Sequence, residues 1–303
     1  MRKVDVIVLG AGPAGLSASV YLARAGIDFV VIEKEMQGGQ ITKTYEVDNY
    51  IGFADGISGF DLATNFYNHA SRFGTEIVYD EIEEYNFADE EKVLVSKNET
   101  YTAKKVIIAT GARPAKLNIE GETELVGKGV SYCATCDGAF FKGKDVAVIG
   151  GGNTAIEDAL YLSSICNKVS IIIRRDKFRA DYELVSKLEN HDNIEIIKNT
   201  NPLAFVGENG LEKIKLKNNK TDEEFEIEVS GVFVAVGIKP NSEVFQDIIE
   251  SDDKKFIKTD NCLRTNVSGV YAVGDIRTTP LRQVITAAAD GAIAASMIAK
   301  ELL

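Results

Sequence analysis

A chain of 303 residues is long enough to bury a sizeable core and to form two domains. Its formal net charge of -12 argues against nucleic acid or an anionic membrane surface as a partner. No apolar run approaches the length that spans a bilayer, and four cysteines in so long a chain do not form the disulfide framework of a small secreted protein. We therefore expect a cytoplasmic protein.

The first element is a short apolar strand, 4–9, which is followed by a glycine-rich loop, a helical stretch and a second strand, 29–32, ending on Glu33. Glycines in this loop let a pyrophosphate approach the helix N-terminus, and the acid accepts ribose hydroxyls. With its strand, helix and acid in place, the motif predicts a dinucleotide-binding unit. The loop residues are Gly10, Ala11, Gly12, Pro13, Ala14 and Gly15.

The next stretch contains Gln37-Gly38-Gly39-Gln40 and few regular signals as far as Asn49. Residues 60–73 have the apolar spacing of a helix. Short alternating stretches from 76 to 109 predict a small antiparallel meander, which closes on Thr110-Gly111. Pro114 marks a domain boundary, because proline disfavours helix in the residue before it.

Two cysteines three residues apart, Cys133 and Cys136, follow this boundary with small residues between them. Such a pair can close a short disulfide ring that opens and closes reversibly. The same spacing occurs in half of a zinc site or in two unrelated buried thiols. Since the other two cysteines are isolated and neither histidine belongs to a ligand pair, the sequence favours a redox pair and no metal site.

The opening pattern then returns, with a strand at 145–149 and a second glycine-rich loop, Gly150-Gly151-Gly152-Asn153-Thr154-Ala155. The two units align without a gap and place Ile173, followed by Arg174 and Arg175, opposite Glu33. A carboxylate would repel a 2′-phosphate, whereas guanidinium groups bind one bidentately. We therefore interpret the second unit as an NADP site to which Arg179 adds charge, although a solvated basic turn stays an alternative.

A further meander is predicted from 202 to 228, and a second domain crossing lies at Lys239-Pro240-Asn241. A short strand then ends on Gly274-Asp275, and 281–302 has the small, apolar spacing of a buried helix. Because this tail follows the second nucleotide unit, it most simply completes the first domain. The second domain is then an insertion.

Two nucleotide units, one inserted in the other, with Cys133-Ala134-Thr135-Cys136-Asp137-Gly138 where the insertion begins, resemble the low-molecular-weight thioredoxin reductases. The resemblance covers essentially the whole chain. It implies two Rossmann-like three-layer α/β domains, an NADPH domain inserted in an FAD domain, with bounds 1–114 and 242–303 for FAD and 115–241 for NADPH. It also implies a homodimer whose protein substrate is thioredoxin.

The resemblance assigns two sets of cofactor contacts. Those for FAD are Gly10, Gly12, Pro13, Ala14, Gly15, Glu33, Gly39, Gln40, Asn49, Thr110, Gly111, Gly274, Asp275, Arg282, Gln283 and Val284. Those for NADPH are Gly150, Gly152, Asn153, Thr154, Ala155, Arg174, Arg175 and Arg179. Histidines that are common in the family are replaced by Ile173 and Ile238, which would weaken NADPH binding without removing the arginines.

The implied catalytic residues are Cys136 against the flavin, Cys133 as the thiol that attacks the substrate, and Asp137 as proton donor. Asp137 can serve as an acid only if burial or a neighbouring thiolate raises its pKa. A helix N-cap is its alternative role. Two other functions stay open: a ferredoxin-dependent flavin thioredoxin reductase, and a flavin-binding redox sensor without significant turnover.

Overall fold

The computed structural model describes residues 1–44, 47, 49–189 and 191–303. The chain forms two compact units. The first comprises Met1–Arg113 with Lys239–Leu303, and the second comprises Pro114–Ile238. The second unit is therefore inserted in the first, which is the arrangement that the predicted fold class requires.

The elements of the described residues are numbered here in chain order. The strands are β1 (Arg2–Leu9), β2 (Phe29–Glu33), β3 (Ile77–Tyr79), β4 (Ile82–Asn86), β5 (Lys92–Ser96), β6 (Thr100–Ile108), β7 (Ala112–Pro114), β8 (Val130–Ser131), β9 (Asp145–Ile149), β10 (Lys168–Ile172), β11 (Ile194–Ile197), β12 (Thr200–Val206), β13 (Lys213–Asn218), β14 (Glu224–Glu228), β15 (Gly231–Val234), β16 (Ile238–Pro240) and β17 (Val270–Ala272). The helices are α1 (Pro13–Arg24), α2 (Gly59–Arg72), α3 (Ala134–Asp137), α4 (Asn153–Ser163), α5 (Tyr182–Glu189) and α6 (Val284–Leu302).

The first unit is built on one sheet. β1 lies between β2 and β6 and is parallel to both. The first half of β6 pairs antiparallel with β5, and its second half pairs parallel with β17. The C-terminal tail therefore completes the sheet of the first unit, as the sequence predicts.

The alternation of side chains along β1 creates two packed faces. Val6 and Val8 pack with residues of α1 and α6 on one face. Ile7 and Leu9 pack on the other face with the meander and with side chains such as Phe245. The first unit thus has three layers around its parallel strands.

The second unit repeats this plan. Its sheet has the order β11-β10-β9-β15-β8 and every pairing is parallel. Val146 and Val148 of β9 pack with α4, while Ala147 and Ile149 pack against the antiparallel sheet β12-β13-β14. This sheet confirms the meander predicted from 202 to 228, and the second unit also has three layers.

One pairing differs from the prediction. The stretch from 76 to 109 was expected to be an antiparallel meander, but β3 pairs in parallel with β2, and only β4, β5 and β6 are antiparallel. Alternation identifies a strand but not its partner. Because α2 separates β2 from β3, it supplies the crossover that a parallel pair needs.

The two segments that connect the units, β7 and β16, pair with one another. None of the helices in the described part of the chain has the length and apolar character that crossing a bilayer requires.

Candidate functional site

The first glycine-rich loop joins β1 to α1. Gly15 packs so closely on the strand end that a Cβ there would lie 1.9 Å from the carbonyl oxygen of Gly10. At Gly12, by contrast, the nearest atom to such a Cβ would be the Cα of Gly39, 4.0 Å away. Gly12 precedes α1 without a side-chain cap, and Pro13 occupies the first turn. This open, uncapped helix start has room for a phosphate group.

Glu33 lies at the end of β2, beside this loop. Its carboxylate accepts hydrogen bonds from the main-chain nitrogens of Ala11, at 2.7 Å, and Glu35, at 2.9 Å. These bonds fix the side chain next to the glycines, as a ribose-binding acid requires. Gly39 also lies at the loop, whereas Gln40 is exposed in the short 3-10 helix Gly39–Lys43.

The C-terminal tail brings further predicted residues to the first unit. Asn49 Nδ2 donates a 3.0 Å hydrogen bond to Gln283 Oε1, which joins two predicted contacts that are distant in the chain. Gln283 also caps α6 through reciprocal bonds with Thr286, so Val284 begins that helix. Thr110 and Gly111 both hydrogen-bond to Asn241. The structure therefore places Thr110 and Gly111 at the second crossing.

Asp275 and Arg282 are two charged groups of the same tail that influence each other electrostatically. Burial raises the pKa of Asp275, and the positive charge of Arg282 opposes that rise. No hydrogen bond to the Asp275 carboxylate occurs within the described ranges. The guanidinium of Arg282 stacks on the Phe256 ring, with its Cζ 4.0 Å from the ring centre. A half-buried carboxylate with free acceptor capacity fits the hydroxyl groups of a ribityl chain.

A buried ion pair between Asp290 and Arg277, which the sequence analysis did not identify, lies next to the turn that contains Asp275. Asp290, in α6, is only 6% exposed and accepts bonds from both Nε (2.7 Å) and one terminal nitrogen (2.8 Å) of Arg277. It also accepts a 2.9 Å bond from the Gly274 nitrogen. Asp290 therefore fastens the Gly274-Asp275 turn to α6. The signal in the sequence was a carboxylate among the small and apolar residues in the middle of this helix.

The second glycine-rich loop joins β9 to α4 in the second unit. A Cβ on Gly150 would lie 2.3 Å from the Ala235 oxygen, whereas no atom lies within 4 Å of one on Gly152. Ala155 is buried and Thr154 is exposed. Asn153 exchanges two hydrogen bonds with Asp181, which holds the loop against the segment after β10. Like the first loop, this one has an open, uncapped helix start.

Arg174, Arg175 and Arg179 lie beside this loop and are exposed. The main-chain nitrogen of Arg179 donates a 2.7 Å bond to the Gly151 oxygen, so the arginine segment is tied to the loop. Among the described residues, no ion pair or hydrogen bond engages the three guanidinium groups. The cluster therefore offers uncompensated positive charge and free donors next to an open helix start, which suits a phosphate monoester.

The cysteine pair forms a disulfide, with its Cα atoms 5.3 Å apart. Cys133 precedes the single turn of α3, and Cys136 lies within it. Both side chains are partly exposed. Cys133 Sγ lies 3.5 Å from Thr135 Oγ1. The predicted redox pair is thus closed and accessible, while Cys166 is a free, buried thiol whose pKa burial raises to about 11.

Asp137 ends α3 and is half-buried. Burial raises the pKa of its carboxyl, and a hydrogen bond from Ser131 opposes the rise. The Ser131 hydroxyl donates to Asp137 Oδ2 at 2.6 Å. Asp137 is also the N-cap residue of the 3-10 helix Gly138–Phe141, but its side chain makes no capping hydrogen bond there. A raised pKa beside the disulfide supports the predicted acid, and Ser131 is a contact that the sequence analysis did not identify.

Known proteins match the chain over nearly its full length. The pyridine nucleotide-disulphide oxidoreductase family matches residues 4–291. A thioredoxin reductase of Bacillus subtilis (strain 168) is 41% identical over 295 residues, which cover 97% of this chain and 93% of that protein.

Solved structures agree with these matches. The thioredoxin reductase of Streptococcus pyogenes MGAS5005 has a TM-score of 0.88 at 36% identity and covers 99% of this chain and 98% of that one. The thioredoxin reductase of Giardia duodenalis has a TM-score of 0.87 at 35% identity, and the match covers 100% of this chain and 99% of that one. The chain therefore belongs to the pyridine nucleotide-disulphide oxidoreductase family and, within it, to the bacterial-type thioredoxin reductases.

Proposed function

We propose that this chain is an NADPH-dependent thioredoxin-disulfide reductase that contains FAD. The observation that carries the proposal is the accessible Cys133–Cys136 disulfide beside an acid, Asp137, in a unit with a second nucleotide loop. The curated relatives and solved structures that bear the name thioredoxin reductase support the same activity.

FAD would be held by the first unit. The open start of α1 at Gly12 would receive its pyrophosphate, Glu33 its ribose hydroxyls and Asp275 its ribityl chain. Arg282, fixed by Phe256, would add positive charge. The bound flavin supplies a carrier that accepts hydride from a nicotinamide and passes electrons to a disulfide.

NADPH would be held by the second unit. Gly152 leaves the start of α4 open to the pyrophosphate. The guanidinium groups of Arg174, Arg175 and Arg179 would bind the 2′-phosphate, which distinguishes NADPH from NADH. Ile173 and Ile238 provide no ring donors where the family often has histidine, so the arginines carry the preference for NADPH.

The chemistry of the cysteines is thiol–disulfide exchange. When the pair is a dithiol, one thiolate attacks the disulfide of thioredoxin and forms a mixed disulfide. The second thiol of the pair then displaces the reduced thioredoxin, so the pair closes again and the substrate gains two electrons and two protons. Asp137, with its raised pKa, is placed to give a proton to a departing thiolate.

The proposal includes a cytoplasmic location and a homodimer, both implied by the family resemblance. Dimer formation is tested by sedimentation equilibrium of the flavin-loaded protein. A single species of twice the chain mass is expected, and a monomer at all micromolar concentrations would contradict it.

The decisive experiment is anaerobic mixing of the flavin-loaded protein with NADPH or NADH, followed by addition of oxidised thioredoxin. We expect rapid bleaching of the flavin by NADPH, slow bleaching by NADH, and reduction of thioredoxin. Absence of bleaching by either nucleotide, with bleaching by reduced ferredoxin, would assign the ferredoxin-dependent activity. Bleaching without thioredoxin reduction would indicate a redox sensor.

A further inference from the structure

Ser131 is a polar side chain near the disulfide that makes three hydrogen-bonding contacts. It is 5% exposed and ends β8, where it pairs with Phe233 of β15. Its Oγ lies 2.6 Å from Asp137 Oδ2, 3.1 Å from the Cys133 nitrogen and 3.3 Å from the Cys133 oxygen. A buried strand residue is thus in contact with both the predicted acid and the first cysteine.

The hydrogen on this hydroxyl can be assigned from the distances. A hydroxyl has one hydrogen and two acceptor lone pairs. The Cys133 N–H can only donate, so Ser131 accepts that bond. Its own hydrogen then goes to the nearer of two acceptors, which is the Asp137 carboxylate rather than the Cys133 carbonyl. Ser131 therefore links the main chain of Cys133 to the carboxyl group of Asp137.

We propose that Ser131 is a positioning residue for proton transfer at the disulfide: its hydroxyl holds the Asp137 carboxylate in one orientation and ties that orientation to the main chain of Cys133. The proposal rests on the proposed function, because it concerns the acid of that reaction. β8 is fixed in the parallel sheet, whereas α3 is a single turn without a side-chain cap. The strand thus supplies the rigid support that the short helix lacks.

Few ionisable groups lie on the described elements next to α3. α4, which packs against α3, carries Glu157, Asp158 and Tyr161. The 3-10 helix that follows, Gly138–Phe141, carries no ionisable group, and neither does β15. Burial raises the pKa of Asp137 and the Ser131 hydrogen bond lowers it, so the two act in opposite directions. Removal of the hydroxyl leaves burial unopposed, so it should raise that pKa further.

The test is a carboxyl titration of the oxidised, flavin-loaded protein by NMR with ¹³C-labelled aspartate. Asp137→Asn identifies the resonance by its loss. We expect Ser131→Ala to raise the titration midpoint of Asp137 by about one pH unit, a tenfold change in proton affinity. Ser131→Thr keeps a hydroxyl and should restore the wild-type midpoint. Ser131→Gly is a second variant without the hydroxyl and should behave like Ser131→Ala.

An unchanged midpoint in both Ser131→Ala and Ser131→Gly would overturn the proposal, as would a raised midpoint in Ser131→Thr. Thermal unfolding of each variant shows that the measured protein is folded. The titration does not involve turnover, so its failure is distinct from failure of the proposed function. As a second readout, the acidic limb of kcat against pH should move with the midpoint in Ser131→Ala and return in Ser131→Thr.

Discussion

At the scale of single residues, the roles of the two sulfurs can be distinguished in variants that each keep only one of the two cysteines. In Cys133→Ser, the remaining Cys136 thiolate should lie against the oxidised flavin and give a long-wavelength charge-transfer absorbance. In Cys136→Ser no such band is expected, because the family resemblance implies that Cys133 is the sulfur farther from the flavin. Both variants should lose thioredoxin turnover, since exchange needs a pair. A band only in Cys136→Ser would reverse the two roles.

The arginines beside the second glycine-rich loop make a prediction about coenzyme choice. In Arg174→Ala/Arg175→Ala, the KM for NADPH should rise far more than the KM for NADH. Each lost charge-assisted phosphate contact costs about 1.5–3 kcal/mol, or roughly ten- to a hundredfold in affinity. Lys177→Ala removes a neighbouring exposed charge and serves as the control, with little change expected. Equal rises for the two coenzymes would contradict the assignment.

Residues whose role depends on local sequence were predictable, and residues whose role depends on distant partners were not. Glu33 follows the strand that the glycine-rich loop motif requires, and the spacing of Cys133 and Cys136 is typical of a redox pair. Ser131 and Asp290 acquire their roles from hydrogen bonds to groups six and thirteen or more residues away. No local pattern specifies which polar group such a side chain meets, because sheet pairing and helix packing decide it.

At the scale of elements, α1 and α6 pack closely against one another. A Cβ on Gly291 of α6 would lie 2.0 Å from the carbonyl oxygen of Ala14 in α1. Gly291→Ala should therefore push the helices apart and lower the free energy of unfolding by about 1–3 kcal/mol, despite the better helix propensity of alanine. Flavin affinity should fall with it, since Ala14 lies in the first turn of α1. Chemical denaturation and fluorescence of released flavin measure both effects.

The matched control for this substitution is Ala289→Leu, which adds volume at an exposed position of the same helix. It should change stability by no more than about 0.5 kcal/mol. If Gly291→Ala has the same free energy of unfolding as the control variant, α1 and α6 do not approach one another as closely as described.

Elements with a long periodic pattern were predicted, and short or partner-dependent ones were not. The repeated strand, loop, helix and strand of each unit are visible because their glycines and apolar runs recur in register. β8 and α3 span two and four residues, too few to show a period, although together they hold the disulfide. The parallel pairing of β3 escaped prediction because the choice of partner depends on where α2 returns the chain.

At the scale of the whole molecule, each unit contains its own hydrophobic cores. Two clusters lie entirely between residues 117 and 235, on the two faces of the second unit's sheet. The remaining clusters draw only on residues before 113 or after 239. Because the connecting segments β7 and β16 pair with one another, the ends of the insertion lie side by side. Insertions with adjacent ends and their own cores fold independently in many proteins.

We therefore expect an isolated chain of residues 114–238 to fold and to bind NADPH without flavin. Its parallel sheet, both covering layers, the second glycine-rich loop and the three arginines all lie within these bounds.

The isolated unit should unfold cooperatively and bind 2′,5′-ADP, measured by calorimetry, while Arg174→Ala/Arg175→Ala in the same unit should lose that binding. Adenosine 5′-monophosphate, which lacks the 2′-phosphate, is the ligand control and should bind both forms equally weakly. A folded unit that binds both nucleotides alike would show that the arginines do not read the 2′-phosphate. An unfolded chain would show that the insertion depends on the first unit for its stability.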